Sequence, residues 1–462
     1  MMTKKQYTID MCHGPILPKL LRLVVPMILS GILQLLFHAA DIIVVGNFGS
    51  PNAVAAVGST GSLVNLMTNL FLGLSVSTNV LTAQFMGARD RTGISQTIHT
   101  SIFLSIVSGI LLTAIGLLFS EQFLKLMNSP DDVRNLSALY LRIYFCGMTA
   151  MLIYNFGSSI LRAKGDTRRP LYYLIIAGVI NVILNLIFVV FLHMDVAGVA
   201  LATVISQCIS AGLILRCLAK ETDAFRLVWK NLRPTGFLVR RILRIGIPAG
   251  FEGVVFSISN VVLQSSVNSF GSLVMAGCAA AASIEGFVWV SMNAFGQGTL
   301  TFTSQNIGGG KYSRLTRILL IGGLCSGLAG LILGNAAYLF GDKLLTIYDP
   351  RPEIIEPGLI RMRFIGRLYF LCGIMDIVGS SIRGMGYSTT PTVVSLLGAC
   401  GLRLLWVFTI FQIPQFHTQF VLFMSYPITW IATFAAHMVC YVIIRRKIPK
   451  TDVPVQIKQP VE

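Results

Sequence analysis

The chain has 462 residues, 54% of them hydrophobic and only 12% charged, with a formal net charge of +17 and a mean hydropathy of +0.74. So little charge cannot solvate a globule of this length; a water-soluble fold is excluded, and a polytopic helical membrane protein is expected. The basic excess is spread over loops on one side of that fold rather than gathered into a patch, which argues against a nucleic-acid partner.

The N-terminal stretch MMTKKQYTIDMCHG is polar, and the apolar run after it is too long for a signal h-region, so no cleavable signal peptide is read. Apolar stretches long enough to span a bilayer then give twelve helices, at 16–46, 53–85, 94–118, 132–161, 170–192, 196–219, 238–268, 273–304, 314–339, 355–382, 391–412 and 418–444. In the first, Pro26 removes a backbone hydrogen bond and marks a bend or hinge. Gln34, His38 and Asp41 follow at i, i+4 and i+7, on one helix face. A carboxylate inside a span is costly, so Asp41 is a functional candidate by default; the alternative is an acid satisfied by interhelical hydrogen bonds. The fourth helix closes on SSILRAKGDTRRP, where Gly165-Asp166-Thr167 reads as a C-cap and turn before Pro170. That segment lacks the spacing of a nucleotide-binding P-loop. Asn181 and Asn185 pair at i, i+4 on the fifth helix, and Thr203 and Gln207 on the sixth. With Asp41 they offer hard oxygen ligands to a small cation, or hydrogen-bonded neighbours to a titrating group; interhelical packing polarity is the competing explanation.

The 216–244 segment is the most basic of the chain. With the N-terminus and every second loop it collects most Lys and Arg on one side, which the positive-inside rule makes cytoplasmic, with both termini. Its stretch KETDAFRLVWKNLRPTG alternates basic and aromatic residues, as an interfacial helix does, though a solvated loop fits as well. The seventh helix carries Pro248, a second hinge candidate, then Glu252 and the polar row Asn260, Gln264 and Asn268. Glu252 lies nearer the basic end and has an arginine ion pair as its alternative. On the eighth helix Glu285 shares a row with Trp289, Asn293 and Gln297, and the tenth helix adds Asp376. Together these suggest a wet, electronegative wall that attracts cations. Arg361, Arg363 and Arg367 sit near the outer end of the tenth helix, where few cations are expected; they snorkel outward or line a polar cavity, and the sequence does not choose. Nine scattered Cys and six dispersed His give no disulfide framework or transition-metal spacing.

The chain is written twice. Pro26, Gly49, Gln84, Glu121, Ser158-Ser159-Ile160, Gly165 and Pro170 recur as Pro248, Gly271, Gln305, Asp342, Ser380-Ser381-Ile382, Gly386 and Pro391, displaced by 221 or 222 positions. The expected class is all-α integral membrane, with twelve transmembrane helices in two six-helix bundles. The expected division is an N-terminal lobe at 1–219, a linker at 220–237, a C-terminal lobe at 238–447 and a tail at 448–462.

With the repeat, the Pro26-to-Asp41 segment and the SSILRAKGDTRRP helix end, the chain resembles the multidrug and toxic compound extrusion (MATE) family, most closely its DinF-type bacterial branch. The resemblance implies a V-shaped pair of lobes, alternating access, and export coupled to H+ or Na+ influx. It implies a cation-coupling cluster of Asp41, Asn181, Asn185, Thr203 and Tyr140, with sodium at Asp41 the only metal considered. Asn185 stands where related members can carry a second acid, which leaves proton storage to Asp41. The function expected is an antiporter of amphipathic, cationic small molecules in the bacterial cytoplasmic membrane. It needs no cofactor, has membrane lipids as its surroundings, and works as a monomer. The substrate cavity expected includes Gln34, His38, Glu252, Gln264, Glu285, Asn293, Gln297 and Asp376. A flippase for a lipid-linked amphiphile is the rival on a related fold and calls for a more basic cavity. A passive channel and an intramembrane enzyme are the remaining classes, the latter lacking any nucleophile–base spacing.

Overall fold

In the computed structural model, which describes residues 8–50, 52–127 and 131–453, ten helices are long and apolar enough to cross a membrane, and two bent pairs raise the number to twelve. We number them 1 to 12: Ile16–Phe48, Ala53–Gly87, Arg91–Leu126, Val133–Cys146 with Met148–Lys164, Arg168–Phe191, Asp195–Ala219, Gly236–Asn268, Ser272–Gly308, Tyr312–Leu339, Pro352–Gly366 with Tyr369–Gly384, Thr389–Gln412 and Gln419–Lys447. Helices satisfy every backbone polar group internally, which a hydrocarbon solvent requires. Their outer faces are apolar: Leu320, Leu324, Leu328 and Leu331 run exposed along helix 9.

The bent pairs occupy the same place in each repeat. Helix 4 turns by 47° at Gly147 and helix 10 by 40° around Leu368. A π-helical turn at Met362–Gly366 precedes the second bend, and such a turn loosens the hydrogen-bond ladder. The sequence reading treated both as single spans, because a glycine or a shifted ladder within an apolar run leaves the hydropathy unchanged. Helix 3 also runs further than expected, to Leu126, its last turns carrying the Glu121–Lys125 pair at 2.9 Å.

The chain separates into two compact units, and their membership differs from the expected boundaries. Unit 1 holds Leu29–Gly250, and unit 2 holds Met11–Ile28 with residues from Phe251 onward. Each first helix is therefore shared, its opening turns belonging to the other unit. The crossing points follow Pro26 and Pro248 by two residues each. In unit 1 the opening of helix 7 lies against helix 2 so closely that a Cβ on Gly73 would stand 2.5 Å from Gly250 Cα. In unit 2 the opening of helix 1 lies against helix 8, where Gly298 faces Leu20 and Val24.

The 220–237 linker forms neither a continuous interfacial helix nor a solvated loop. Two single 3₁₀ turns, Asp223–Phe225 and Trp229–Asn231, strap it onto unit 1. Phe225 and Leu227 are buried, Val228 N–H donates to His99 Nε2 at 3.1 Å, and Thr235 N–H donates to Thr100 Oγ1 at 3.1 Å. The helix-end motif behaves as read. Gly165 is left-handed (φ +93°), and its N–H and that of Asp166 cap Arg162 and Leu161. Gly386 (φ +96°) repeats the arrangement on Arg383.

Candidate functional site

In unit 1 helix 1 delivers Asp41 inward, only 8% exposed, although its neighbours at Gln34 and His38 are exposed. The i, i+4 spacing of Asn181 and Asn185 turns both amides of helix 5 toward it. Asn185 Nδ2 donates to Asp41 Oδ1 at 2.5 Å and to Asn181 Oδ1 at 3.2 Å. Asn181 Nδ2 donates to Thr203 Oγ1 of helix 6 at 3.4 Å, and the Thr203 hydroxyl donates to Val199 O at 3.0 Å. The result is a hydrogen-bonded network centred on the Asn185 amide, which donates to the carboxylate on helix 1 and, through Asn181, into helix 6 at Thr203. Asn185 is fully buried and its Oδ1 accepts nothing among the described residues, an orphaned oxygen that costs about 1–3 kcal/mol unless something uses it. Tyr140 on helix 4 is buried among Val44, Val45 and Val199. It stacks on Tyr144 at 5.7 Å. Four of the five coupling candidates thus form one hydrogen-bonded set, and Tyr140 borders it. Tyr144 went unflagged, although its i+4 spacing from Tyr140 was readable.

Unit 2 differs from the expected electronegative wall. Glu285 is buried at 5% exposure and forms an ion pair with Arg361, Nη2 to Oε2 at 2.8 Å and Nε to the two oxygens at 3.2 and 3.3 Å. Glu252 accepts from Arg383 Nη2 at 2.6 Å and from the Thr392 hydroxyl at 3.1 Å. The electronegative wall is corrected at Glu285, whose buried carboxylate is neutralised by an arginine as desolvation demands, whereas the half-buried Glu252 takes the arginine ion pair given as its alternative. Arg361 neither snorkels nor faces a cavity; it turns inward to Glu285. Asp376 makes no side-chain hydrogen bond among the described residues and packs against Gly296. Gln264 is exposed and bonded to Asn268 at 3.0 Å, apart from the ion pairs. Asn293 and Gln297 are half-buried on helix 8.

The residue the sequence reading passed over is Arg403 on helix 11. It is 3% exposed, donates from Nη2 to Thr429 Oγ1 at 3.1 Å, and lies 4.0 Å from the centre of the Tyr426 ring. Its Nε is buried without a partner among the described residues. From Tyr426 an aromatic run continues through Trp430 (5.7 Å), Tyr369 (5.5 Å) and Trp289 (6.3 Å). Arg403 sits inside a long apolar run and has no counterpart of its type in the first repeat, so neither hydropathy nor the duplication flags it.

Asp195 is a structural acid that was also missed. It accepts from Ser50 N–H at 3.0 Å and Ser50 Oγ at 2.7 Å, tying the loop after helix 1 to the start of helix 6.

The sequence profile of the MatE family matches residues 26–187 and 248–409, one match per repeat. The chain is 27% identical over 386 residues to "Probable multidrug resistance protein YoeA" of Bacillus subtilis, covering 82% of this chain and 83% of that one. It is 28% identical over 403 residues to "Probable multidrug resistance protein YpnP" of the same organism, covering 85% and 88%. Among solved structures, a MATE crystal structure in complex with MaL6 superposes with a TM-score of 0.90 at 21% identity, covering 97% of this chain and all of that one. Two profile matches at the displacement of the internal repeat, on a twelve-helix fold of the same kind, make this chain a member of the MatE family of multidrug efflux transporters.

Proposed function

We propose that this transporter is an antiporter that exports amphipathic small molecules in exchange for H+ or Na+ taken up at Asp41. The observation that carries the reading is the network in which the Asn185 amide donates both to the buried Asp41 carboxylate and to Asn181, which donates on to Thr203, while Asn185 Oδ1 has no partner among the described residues. An ionised Asp41 accepts from the Asn185 amide, as observed. A protonated Asp41 must donate, and a sodium ion needs oxygens, so either arrival favours Asn185 turned to present Oδ1. Cation uptake thus switches Asn185 from donor to acceptor at the centre of a network that links helices 1, 5 and 6. Asp41 lies 15 residues beyond Pro26, about 22 Å along the helix. We place the hinge at Pro26 and Pro248, where each first helix passes from one unit to the other; a cluster that prefers one bend of helix 1 when loaded supplies the differential affinity an exchanger requires.

The test is efflux from proteoliposomes with proton and sodium gradients imposed separately. Wild type is expected to respond to one of them and Asp41→Asn to neither, with insertion and thermal stability of the variant retained. Gradient-driven export by the variant at the wild-type rate overturns the assignment.

The membrane is the bacterial cytoplasmic membrane, with both termini cytoplasmic, on the support of the basic linker and loops. The transporter acts as a monomer. For the substrate, the membrane-embedded carboxylates Asp41 and Asp376, which form no arginine salt bridge among the described residues, favour an organic cation. A second reading, an anionic aromatic amphiphile or a lipid-linked substrate, is favoured by Arg403 and its aromatic run. Competition of cationic and anionic dyes for export separates the two readings.

A further inference from the structure

Arg363 and Arg367, the two outer-end arginines that Glu285 does not neutralise, line one cavity of about 370 Å³ on unit 2. Both are exposed. Arg367 Nε donates to Asn335 Oδ1 at 3.2 Å, and its guanidinium lies 5.1 Å from the Tyr338 ring. Arg363 lies 5.9 Å from the Phe364 ring. No carboxylate pairs with either side chain among the described residues. Two like charges at i, i+4 repel, and Asn335 and the two rings leave the Nη groups of Arg367 and the fork of Arg363 free.

The remaining walls are apolar, with Leu331 of helix 9, Phe370 of helix 10 and Met424 of helix 12. Asn335 is one turn from the end of helix 9 at Leu339, and Met424 is little more than a turn into helix 12. The cavity therefore sits in the half of unit 2 remote from Arg314, near the end of helix 9 and the start of helix 12. Beneath it the exposed row Leu331, Leu328, Leu324 and Leu320 runs down helix 9 for about 16 Å, the footprint of an acyl chain.

We propose that this cavity binds an anionic phospholipid of the phosphatidylglycerol class, with its phosphodiester between Arg363 and Arg367 and one acyl chain along the leucine row of helix 9. Arginine forks fit phosphate oxygens in pairs, and the apolar walls beside them suit a phosphate that carries acyl chains. A soluble anion would satisfy the arginines but would leave Phe370, Met424 and the leucine row uncovered.

The test uses the full-length protein in neutral detergent, with lipid retention read by native mass spectrometry and thermal shift. Dioleoyl-phosphatidylglycerol, dioleoyl-phosphatidylcholine and glycerol 3-phosphate are the three probes. Phosphatidylglycerol is expected to bind and stabilise wild type, with retention at least fivefold weaker in R363Q/R367Q and unchanged in R446Q. Leu331→Trp, which blocks the acyl path and leaves both arginines in place, is expected to weaken phosphatidylglycerol as well; it keeps the test open if the double variant misfolds. Equal retention of phosphatidylcholine, undiminished phosphatidylglycerol binding by R363Q/R367Q or L331W, or full stabilisation by glycerol 3-phosphate alone overturns the proposal.

Discussion

A carboxylate in a low-dielectric bundle is held either by an opposite charge or by donors, and this chain uses both devices. Glu285 and Arg361 hold each other; removing one leaves the other buried and uncompensated. Glu285→Gln is therefore expected to destabilise unit 2 by about 3–5 kcal/mol, whereas E285L/R361M, which removes both charges, recovers most of that loss. Thermal unfolding in detergent checks both, and a double variant no more stable than the single one would contradict the pairing. Asp41 is held by a neutral amide instead, an arrangement that costs less to rearrange. Asn185→Leu removes the donor and is expected to lower stability by about 1–3 kcal/mol while abolishing gradient-driven export. Wild-type coupling in a folded N185L protein, measured in proteoliposomes, would show that the amide chain has no part in it. The sequence located Asp41, Asn181, Asn185 and Thr203 because polar groups stand out in apolar helices. It could not assign the partner of Glu285, since Arg361 is 76 positions away and helix packing alone brings them together.

At the scale of elements, the helices were legible from hydropathy, and their interruptions were not. Helices 4 and 10 bend at Gly147 and Leu368 because the hydrogen-bond ladder fails locally, an event that leaves no trace in composition. The prolines were legible because their effect is covalent: each lacks a backbone N–H. What the sequence could not say is that both lie two residues before a helix changes unit. Pro26→Ala is expected to restore a helical hydrogen bond, leave the thermal midpoint equal or higher, and slow export severalfold. A variant that exports normally would reduce Pro26 to a static kink. The glycine contact beneath the second crossing predicts the opposite balance. Gly73→Leu drives a side chain into the backbone of Gly250 and is expected to lower stability by about 1–3 kcal/mol or more, readable as lost monodisperse protein on size-exclusion chromatography.

For the whole molecule, the duplication was legible, and the profile matches at 26–187 and 248–409 reproduce its displacement. The exchange of helix openings was not, because a continuous helix gives no sequence signal where its neighbours change. The exchange gives the linker a task. It straps to unit 1 through His99 and Thr100, and its second residue, Glu221, joins Lys164 at 2.5 Å and also Arg169. Burial pushes the Glu221 carboxyl up, but Lys164 and Arg169 outweigh it and hold the group below the usual glutamate range. The strap's electrostatic contribution is thus fully present above the unfolded value of about 4.3 and is lost as pH falls through the lower folded value. A chain cut between Thr235 and Gly236 keeps that strap and still strips each half of something. The first half loses Gly236–Gly250 from unit 1, and the second loses Met11–Ile28 from unit 2. Either half expressed alone is expected to aggregate, and the two co-expressed to purify as one particle, read by size-exclusion chromatography with a tag on one half. A first half that is monodisperse and thermally stable by itself would mean that unit 1 closes without the opening of helix 7, and the shared helices would then be a feature of packing rather than a condition of folding.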